Sequence, residues 1–528
     1  MAKSKDTSYC YDFLILFEEA LRKAWAAYMS TEHESASVPR TAAGVTKWIA
    51  GKVAGGVGWS MARDQQERPR LHAIEMILDP ESEGLREVSR PPGQNDVAMV
   101  CWKLTMSTPE YPDGREIILI INDVTLQNGS FGVREDELFA RATEFARRRG
   151  IPRIFVAANT GARIGLVDQV RSKFRVQWKN ALNPSSGMEF LYLDEDTVDM
   201  LHQTKMALTE EVTASDGSKR HRLTAVIGPD GIGVENLRGS GHIAGGTCRA
   251  YDDIFTLTFV SGTAVGIGAY LVRLGQRAIQ KGPPILLTGD AALNKVLGKK
   301  VYSSNYQLGG TQIMYNNGIS HEVVDNDLMG VQSIVRWLAF VPERRGAPPV
   351  MLRAPTNKKA MLDAIDRKVF DPRRGPEPSK VFDPRILLTG HVDAIGKWRG
   401  GLFDKDSFVE TMGGWGKTTV CGRARLGGLA VGVVMPELRT TQCVHPADPA
   451  DPESKEQVSS QAGQVWFPDS AYKTAQAIGD MNKEGLPLII LANWRGFSGG
   501  MRDMYEAILK FGSMIVEKLV GYKQPVLS

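Results

Sequence analysis

Two stretches set glycine-rich loops directly after short apolar runs, and the chemistry they offer is that of bare peptide N–H groups. GIPRIFVAANTGARIG (150–165) and GLPLIILANWRGFSGG (485–500) each open Gly-(Ile/Leu)-Pro, pass through apolar residues to an asparagine (Asn159, Asn493) and end in glycines. A short apolar run bounded by breakers reads as a strand buried on both faces. A glycine after it reaches positive φ without steric cost and lets backbone amides approach a ligand closely. Two such N–H groups on one oxygen form an oxyanion hole for an enolate or tetrahedral oxyanion, and a helix N-terminus adds its dipole. The donors predicted are Ala162 in the first junction, Ile267 at the head of a helix flanked by Gly266 and Gly268, and Gly499 and Gly500 in the second junction. No Ser-His-Asp grouping, metal-spaced His/Glu set or G-x-x-x-x-G-K-[ST] loop is visible, so neither a metal nor a side-chain nucleophile is expected.

Each of these residues also has a plainer use. A glycine after a strand often only permits close helix–sheet packing. Arg163 and Arg495 could be solvated or structural, Tyr270 at helical spacing with Leu271 and Leu274 reads as core, and Trp494 could simply pack. The paired occurrence is what favours chemistry.

The elements needed to hold the junctions follow from periodicity. VAMVCWKLTM (97–106), a Pro112-Asp113-Gly114 turn and REIILIINDVT (115–125) read as a strand pair. Leu138, Phe139, Ala142, Phe145 and Ala146 mark a helix leading into the strand that ends at Asn159. The sequence assigns no structure to 166–236, and reads LRGSGHIAGG (237–246) as a loop. It predicts a strand at 256–262, a helix at 264–280, a strand at 284–289, a polar loop at 305–320 and a helix at 331–341. Residues 342–400, with VFDPR at 369–373 and 381–385, read as a linker. The order then recurs: a Gly-turned strand pair at 418–437, a helix after Pro468 with Asp469 and Ser470 as cap candidates, the strand to Asn493, the glycine junction, a helix at 502–520 and QPVLS. Matched to 264–289, this second copy predicts a chain cut short inside its last strand, leaving an open apolar edge.

The totals exclude several classes. The 528 residues are 42% hydrophobic and 23% charged with a net charge of +4, ordinary for a globular protein and without a basic, aromatic-laced block for nucleic acid. Five scattered cysteines with no CxxC pair point to free thiols and a cytoplasmic setting. No apolar run is long enough for a membrane span, and residues 1–30 read as an amphipathic docking helix rather than a signal peptide.

GSFGVREDELFARATEFARRRGIPRIFVAANTGARIGL (129–166), GIGVENLRGSGHIAGGTCRAY (231–251), GIGAYLVRLGQRAIQ (266–280), SSNYQLGGTQIMYNNGISH (303–321), GRARLGGLAVGVV (422–434), QAGQVWFPDSAYKTAQAI (461–478) and ANWRGFSGGMRDMY (492–505) resemble the carboxyltransferase domain of eukaryotic multidomain acetyl-CoA carboxylase. The resemblance implies an α/β fold of two tandem crotonase (ClpP-like) domains, the second incomplete: a lead-in at 1–95, an N-domain on the CoA side at 96–342, a linker at 343–416 and a C-domain on the biotin side at 417–528. It implies carboxyl transfer from carboxybiotin to acetyl-CoA, giving malonyl-CoA for fatty-acid synthesis, at a site formed between head-to-tail subunits. The freed ureido nitrogen would then be the base. Biotin would be carried on a separate domain or chain, and coenzyme A would enter as part of the substrate.

By the same resemblance Ala162 and Ile267 supply thioester-side amides and Gly499 a biotin-side amide. Leu237, Gly266, Tyr270 and Phe497 line the pocket, and Arg495 recognises carboxylate or CoA charge. The family reads Cys-Arg-Ser where this chain has Gly262-Thr263-Ala264, so Thr263 replaces an arginine implicated in CoA binding. Such a charge-assisted contact is worth about 1.5–3 kcal/mol. An ELRGG-type loop, a Lys-x-Arg pair, a biotinyl-lysine motif and an ATP-binding carboxylase module are missing from the sequence. A biotin carrier and a biotin carboxylase are therefore expected in trans or in a longer chain. The alternatives are a catalytically impaired paralogue that serves as an assembly or regulatory partner, and another crotonase-type enzyme such as a malonyl-CoA decarboxylase.

Overall fold

A computed structural model describes residues 2–34, 71–82, 84–163, 173–203, 207–215, 217–226, 237–352, 382–393, 395–396 and 398–528. Most of the 342–400 linker, the 369–373 copy of VFDPR, Ile164 and Gly165 of the first junction, and the 35–70 part of the lead-in lie outside the described residues.

The first half is built on an eight-stranded sheet. Its strands are β1 (Leu71–Leu78), β2 (Leu85–Val88), β3 (Met99–Met106), β4 (Arg115–Asn122), β5 (Arg153–Ala157), β10 (Thr256–Val260), β12 (Ala278–Gln280) and β14 (Glu322–Val323), in the order β14-β12-β10-β5-β4-β3-β1-β2. β4, β5, β10, β12 and β14 run parallel; β3, β1 and β2 add antiparallel neighbours. Strand alternation divides β4 cleanly. Ile117, Leu119 and Ile121 face one core with Phe13, Phe17 and Leu21 of helix α1 (Phe13–Glu34), and Ile118 and Ile120 face the other. That second core is roofed by α2 (Val133–Arg149), which supplies Leu138, Phe139 and Ala142. Phe13 and Phe17 are wholly buried, each burial worth about 1.5–3 kcal/mol, and they seat α1 on this face of the sheet.

Residues 166–236, to which the sequence assigns nothing, contain a separate four-stranded antiparallel sheet, β6 (Arg175–Trp178), β7 (Met188–Leu193), β8 (Ala207–Thr213) and β9 (Lys219–Val226), with helix α3 (Glu195–Gln203). The 237–246 segment is not a loop. It opens helix α4 (Leu237–Asp253), in which four glycines each cost about 1 kcal/mol against alanine; burial of Ile243, Thr247 and Ala250 offsets them. The predicted 264–280 helix is shorter. β11 (Ala264–Val265) precedes helix α5 (Ile267–Leu274), Gln276 turns at φ 63°, and Ala278–Gln280 is the sheet strand β12. The expected strand at 284–289 is reduced to β13 (Ile285–Leu286), paired with β11 rather than with the main sheet. The polar loop at 305–320 carries one-turn helices at Tyr306–Gly309 and Thr311–Met314, after helix α6 (Asp290–Leu297). Helix α7 (Asp327–Leu338) closes the half; Asn326 caps it by accepting from the Met329 N–H.

A small pair, β15 (His391–Val392) and β16 (Trp398–Arg399), precedes the second half. The second sheet runs β17 (Val409–Thr411), β18 (Thr419–Leu426), β19 (Leu429–Pro436), β23 (Leu488–Ile490), β25 (Val526–Leu527), with the β18–β19 turn on Gly427 and Gly428, both at positive φ. Between β19 and β23 lie the hairpin β20 (Thr441–His445)–β21 (Gln457–Gln461), the strand β22 (Val465–Trp466) and helix α8 (Pro468–Lys483). Phe467, not Asp469 or Ser470, is the α8 N-cap; the Ser470 hydroxyl accepts the Phe467 N–H. After β24 (Gly496–Phe497), the predicted 502–520 helix is broken at Ala507 (φ 69°) into α9 (Met501–Tyr505) and α10 (Ile508–Val520).

The two halves repeat one frame. The Ile118 N–H bonds to Pro152 O at 2.9 Å and Gly432 N–H to Pro487 O at 2.8 Å; Arg153 N–H bonds to Phe255 O and Leu488 N–H to Pro525 O, both at 2.9 Å. α2 runs into Gly150, and α8 runs through Glu484 into Gly485, both glycines in left-handed conformation. Each is followed by a 3.1 Å bond back five residues, Ile151 to Ala146 and Leu486 to Met481. This corrects the sequence match of the last residues: β25 lies on β23 as β10 lies on β5, so 508–527 corresponds to 237–260, not to 264–289.

Candidate active site

The first junction leaves β5 at Ala157 and turns back along Phe131, the residue before the α2 cap. Phe131 N–H donates to Gly161 O (2.9 Å) and Arg163 N–H to Phe131 O (2.8 Å). In such a ladder alternate residues point away from the partner strand, and the one pointing away is Ala162. Its N–H has no acceptor among the described residues. Gly161, at φ +81°, permits the turn, and a Cβ there would lie 3.0 Å from Val265 O.

Ile267 begins α5. Gly266 before it sits at φ 54°, ψ −116°, a conformation open essentially to glycine alone, and supplies no side-chain cap. The Ile267 N–H is therefore an uncapped first-turn donor. The contact of Gly161 with Val265 shows that the structure brings the Ala162 and Ile267 loops together. Thr263 takes part through its backbone, its carbonyl accepting the Asn159 N–H at 2.6 Å. Tyr270 is 55% exposed on α5, which overturns its reading as core. Leu237 opens α4; its side chain lies outside the described residues. Arg163 is structural: it pairs with Glu135 at 2.5 Å and bonds Ser130 Oγ, and Glu135 in turn accepts the Gly132 and Ala98 N–H groups.

The second junction repeats the first at a constant offset. Ser498 N–H donates to Trp466 O at 2.8 Å, as Arg163 does to Phe131, and Phe497 pairs with Trp466 as Ala162 pairs with Phe131. Phe497 is thus the counterpart of Ala162. Trp494, not Asn493, is the counterpart of Asn159. Gly499 and Gly500 follow Phe497 by two and three residues; neither N–H has an acceptor among the described residues, and Gly500 caps α9. Trp466 stacks on Trp494 (4.3 Å, 9°) and on Phe497 (4.7 Å, 22°), with Phe497 half exposed at the end of the stack. Trp494 therefore packs, both in a ring stack at the junction and against the core of the second half. Arg495 is exposed and its guanidinium has no acid partner among the described residues. No hydrogen bond, ion pair or ring contact joins the two junctions among the described residues.

The halves are locked elsewhere, by a buried ionic cluster. Glu484, at the C-cap of α8, accepts from Arg277 Nε, Arg423 Nε and Arg423 Nη2, all at 2.6 Å. Asp480 accepts from Tyr251 Oη at 2.7 Å. Burial alone would raise the Asp480 carboxyl, but Arg277 and His321 outweigh it and hold it at about 2. Burial holds the His321 imidazole below its usual value. Sequence reasoning missed this cluster, and it also missed Asn122 and Asn159, whose side chains tie the first junction together. Among the described residues no group of His, Cys, Asp and Glu could hold a metal, and no helix is long and apolar enough to cross a membrane.

A family model described as "Carboxyl transferase domain" matches residues 109–528. The chain is 48% identical to an acetyl-CoA carboxylase of Dictyostelium discoideum over its whole length. It is 52% identical to that of Schizosaccharomyces pombe over 86% of its length and 51% to that of Saccharomyces cerevisiae over 85%. It spans only 20–22% of those three relatives, about a fifth of each. With the matched frame and its paired amide junctions, this places the chain in the carboxyl transferase domain family.

Proposed function

We propose that this chain carries out carboxyl transfer between carboxybiotin and acetyl-CoA, giving malonyl-CoA. It would do so on two crotonase-type domains, 96–342 and 417–528, joined through 343–416. The observation that carries the reading is the pair of junctions matched in ladder register, each leaving a peptide N–H turned away from its ladder. On the acyl side, the Ala162 and Ile267 N–H groups would hold the thioester oxygen as it gains enolate charge, and the α5 dipole would favour that charge. Tyr270, exposed on the first turn of α5, would cover the acyl–CoA arm, with Leu237, Thr263 and Gly266 beside it.

The second junction fits the flat ureido ring of biotin. Phe497 presents the free aromatic face of a stack on Trp466 and Trp494, the Phe497, Gly499 and Gly500 amides are donors for a ureido oxygen, and the nearby Asp503 carboxylate is already taken by the Ser498 hydroxyl. When bound there, biotin supplies the carboxyl group and a ureido nitrogen able to take the methyl proton. Arg495 would hold the substrate carboxylate. The biotin carrier and biotin carboxylase modules would lie outside this chain, and a cytoplasmic setting fits the five free cysteines.

A second copy completes the site in this reading. Leu509, Val516 and Val520 form an exposed stripe on α10, the kind of face that a head-to-tail partner would cover. The test is malonyl-CoA consumption by the purified protein with and without free biotin. Biotin-dependent release of acetyl-CoA is expected. Biotin-independent loss of malonyl-CoA would mark a decarboxylase instead, and CoA binding without turnover would mark a non-catalytic assembly partner.

A further inference from the structure

The Ala162 and Ile267 amides belong to segments about a hundred residues apart, and one buried side chain bridges them. Asn159 is 2% exposed at the end of β5. Its Oδ1 accepts the Gly161 N–H and the Val265 N–H, each at 3.2 Å. Its own N–H donates to Thr263 O at 2.6 Å. Its Nδ2 donates to Asn122 Oδ1 at 3.2 Å, which also accepts the Ala158 N–H at 3.1 Å, while Asn122 Nδ2 donates to Gly129 O at 3.2 Å. The orientation of both carboxamides follows from this chain of donors and acceptors: turning either would set like groups face to face.

Three glycines make room for the bridge. A Cβ on Gly268 would lie 2.0 Å from Asn159 Oδ1, one on Gly161 3.0 Å from Val265 O, and one on Gly262 2.7 Å from Ala158 Cβ. The bonded amides, Gly161 and Val265, lie one and two residues before the amides left free. A shift of the carboxamide therefore moves both free donors relative to each other.

We propose that Asn159 is a positioning residue that fixes the separation of the Ala162 and Ile267 N–H groups, and with it their match to a developing oxyanion. It touches no substrate and acts only through the two loops. The inference rests on the reading of these amides as the thioester-side oxyanion hole. Misplacing a reacting group by about 1 Å costs on the order of a hundredfold in rate, and losing one oxyanion donor about 10²–10³-fold.

The test compares wild type with Asn159→Ala and with Asn159→Asp across a pH series; the acid keeps the acceptor facing Gly161 and Val265, donates to Asn122 Oδ1 only when protonated, and when ionised sets a charged oxygen against it. Two ligands are titrated: free CoA, and S-carboxymethyl-CoA, whose carboxylate stands for the oxyanion. Melting temperature and biotin-dependent kcat and KM for malonyl-CoA are recorded beside them. In Asn159→Ala, kcat should fall at least about thirtyfold while KM and the free-CoA Kd change less than about threefold. The preference for the carboxylate ligand should disappear, and Asn159→Asp should restore most of both at low pH. Wild type preferring the carboxylate ligand, with that preference and kcat intact in Asn159→Ala, would overturn the positioning role and leave the site reading standing. Wild type showing no preference would overturn the site reading and the positioning role with it. An alanine variant that does not fold leaves the decision to Asn159→Asp. Wild-type kcat and carboxylate preference there at low pH, where the acid is protonated, support the acceptor role, and loss of both at every pH in a folded aspartate variant refutes it.

Discussion

Glu484→Gln should be among the most damaging single substitutions in the protein. The carboxylate is fully buried and accepts three 2.6 Å bonds from two arginines, whose side chains are 0% and 4% exposed. Arg277 approaches from the first half, one residue before β12, and Arg423 from β18 in the second. Each guanidinium also lies over an aromatic ring, Arg277 4.8 Å from Phe255 and Arg423 4.4 Å from Trp337. Glutamine keeps the shape but leaves two buried cations facing one neutral oxygen, with Asp480 4.0 Å from Arg277 as the remaining acid. Breaking a buried ion pair from one side costs about 3–5 kcal/mol, a large fraction of the about 5–15 kcal/mol typical of a folded domain. Urea unfolding followed by far-UV circular dichroism should show the midpoint falling with its slope unchanged. Glu484→Met combined with Arg277→Met, Arg423→Leu and Asp480→Asn should recover most of the loss, because the replacements leave no buried charge of the cluster to desolvate. A loss below about 1 kcal/mol for Glu484→Gln alone, the net value of an ordinary hydrogen bond, would refute the argument that this acid holds the halves together.

Asp480 titrates at about 2 in the folded protein, below its ordinary value of 3.8, so its contribution is full above pH 3.8 and is lost as the pH falls through about 2. The shift corresponds to about 2 kcal/mol, and Asp480→Asn should flatten that part of the unfolding curve. Arg153 is wholly buried, bonds only the Thr143 and Thr247 hydroxyls through its guanidinium among the described residues, and is driven down to about 9 by burial. Arg153→Met should therefore melt within about 1 kcal/mol of wild type or above it, as calorimetry would show. Gly161→Ala, forced into positive φ against Val265 O, should cost about 1–2 kcal/mol and lower biotin-dependent turnover of malonyl-CoA. Tyr270→Ala removes an exposed ring and should leave stability within about 0.5 kcal/mol while raising KM for malonyl-CoA in steady-state assays.

Local pattern made the hairpins β3–β4 and β18–β19 and the helices α2 and α8 legible, because each has one strict period and a glycine or proline at its end. α4 was hidden by its four glycines, whose cost is met by packing that no local window contains. β12 was hidden because the apolar spacing of α5 runs straight on through Gln276, whose positive φ leaves no mark in the residue order. The β6–β9 sheet has a small core around Leu193, Val198 and Leu201 and shows little alternation. At the site, glycine spacing marked the two junctions, whose Ala162, Gly499 and Gly500 N–H groups have no acceptor among the described residues. It could not find Asn159 as the bridge between the Ala162 and Ile267 loops, because the bond to Val265 joins residues 106 apart. It also paired the two asparagines by type, whereas the backbone ladder pairs Asn159 with Trp494.

That last difference carries the logic of the repeat. The frame, the turning glycines (Gly161 at φ +81°, Gly496 at φ +141°) and the outward N–H are the same in both halves. The residue before the turn is not. In the first half it is a buried carboxamide that ties two loops by hydrogen bonds, which suits a site where charge develops on one small oxygen and donor spacing decides the rate. In the second half it is an indole stacked on Trp466, which stiffens the loop by ring contact and leaves Phe497 half exposed as a flat face. If the halves divide the work in this way, exchanging the two residues should damage both sites differently. Asn159→Trp has no room against Gly268 and should not fold, whereas Trp494→Asn should fold, retain the affinity for S-carboxymethyl-CoA, and lose the response to free biotin. Retention of the biotin response in Trp494→Asn would show that the stack serves packing alone.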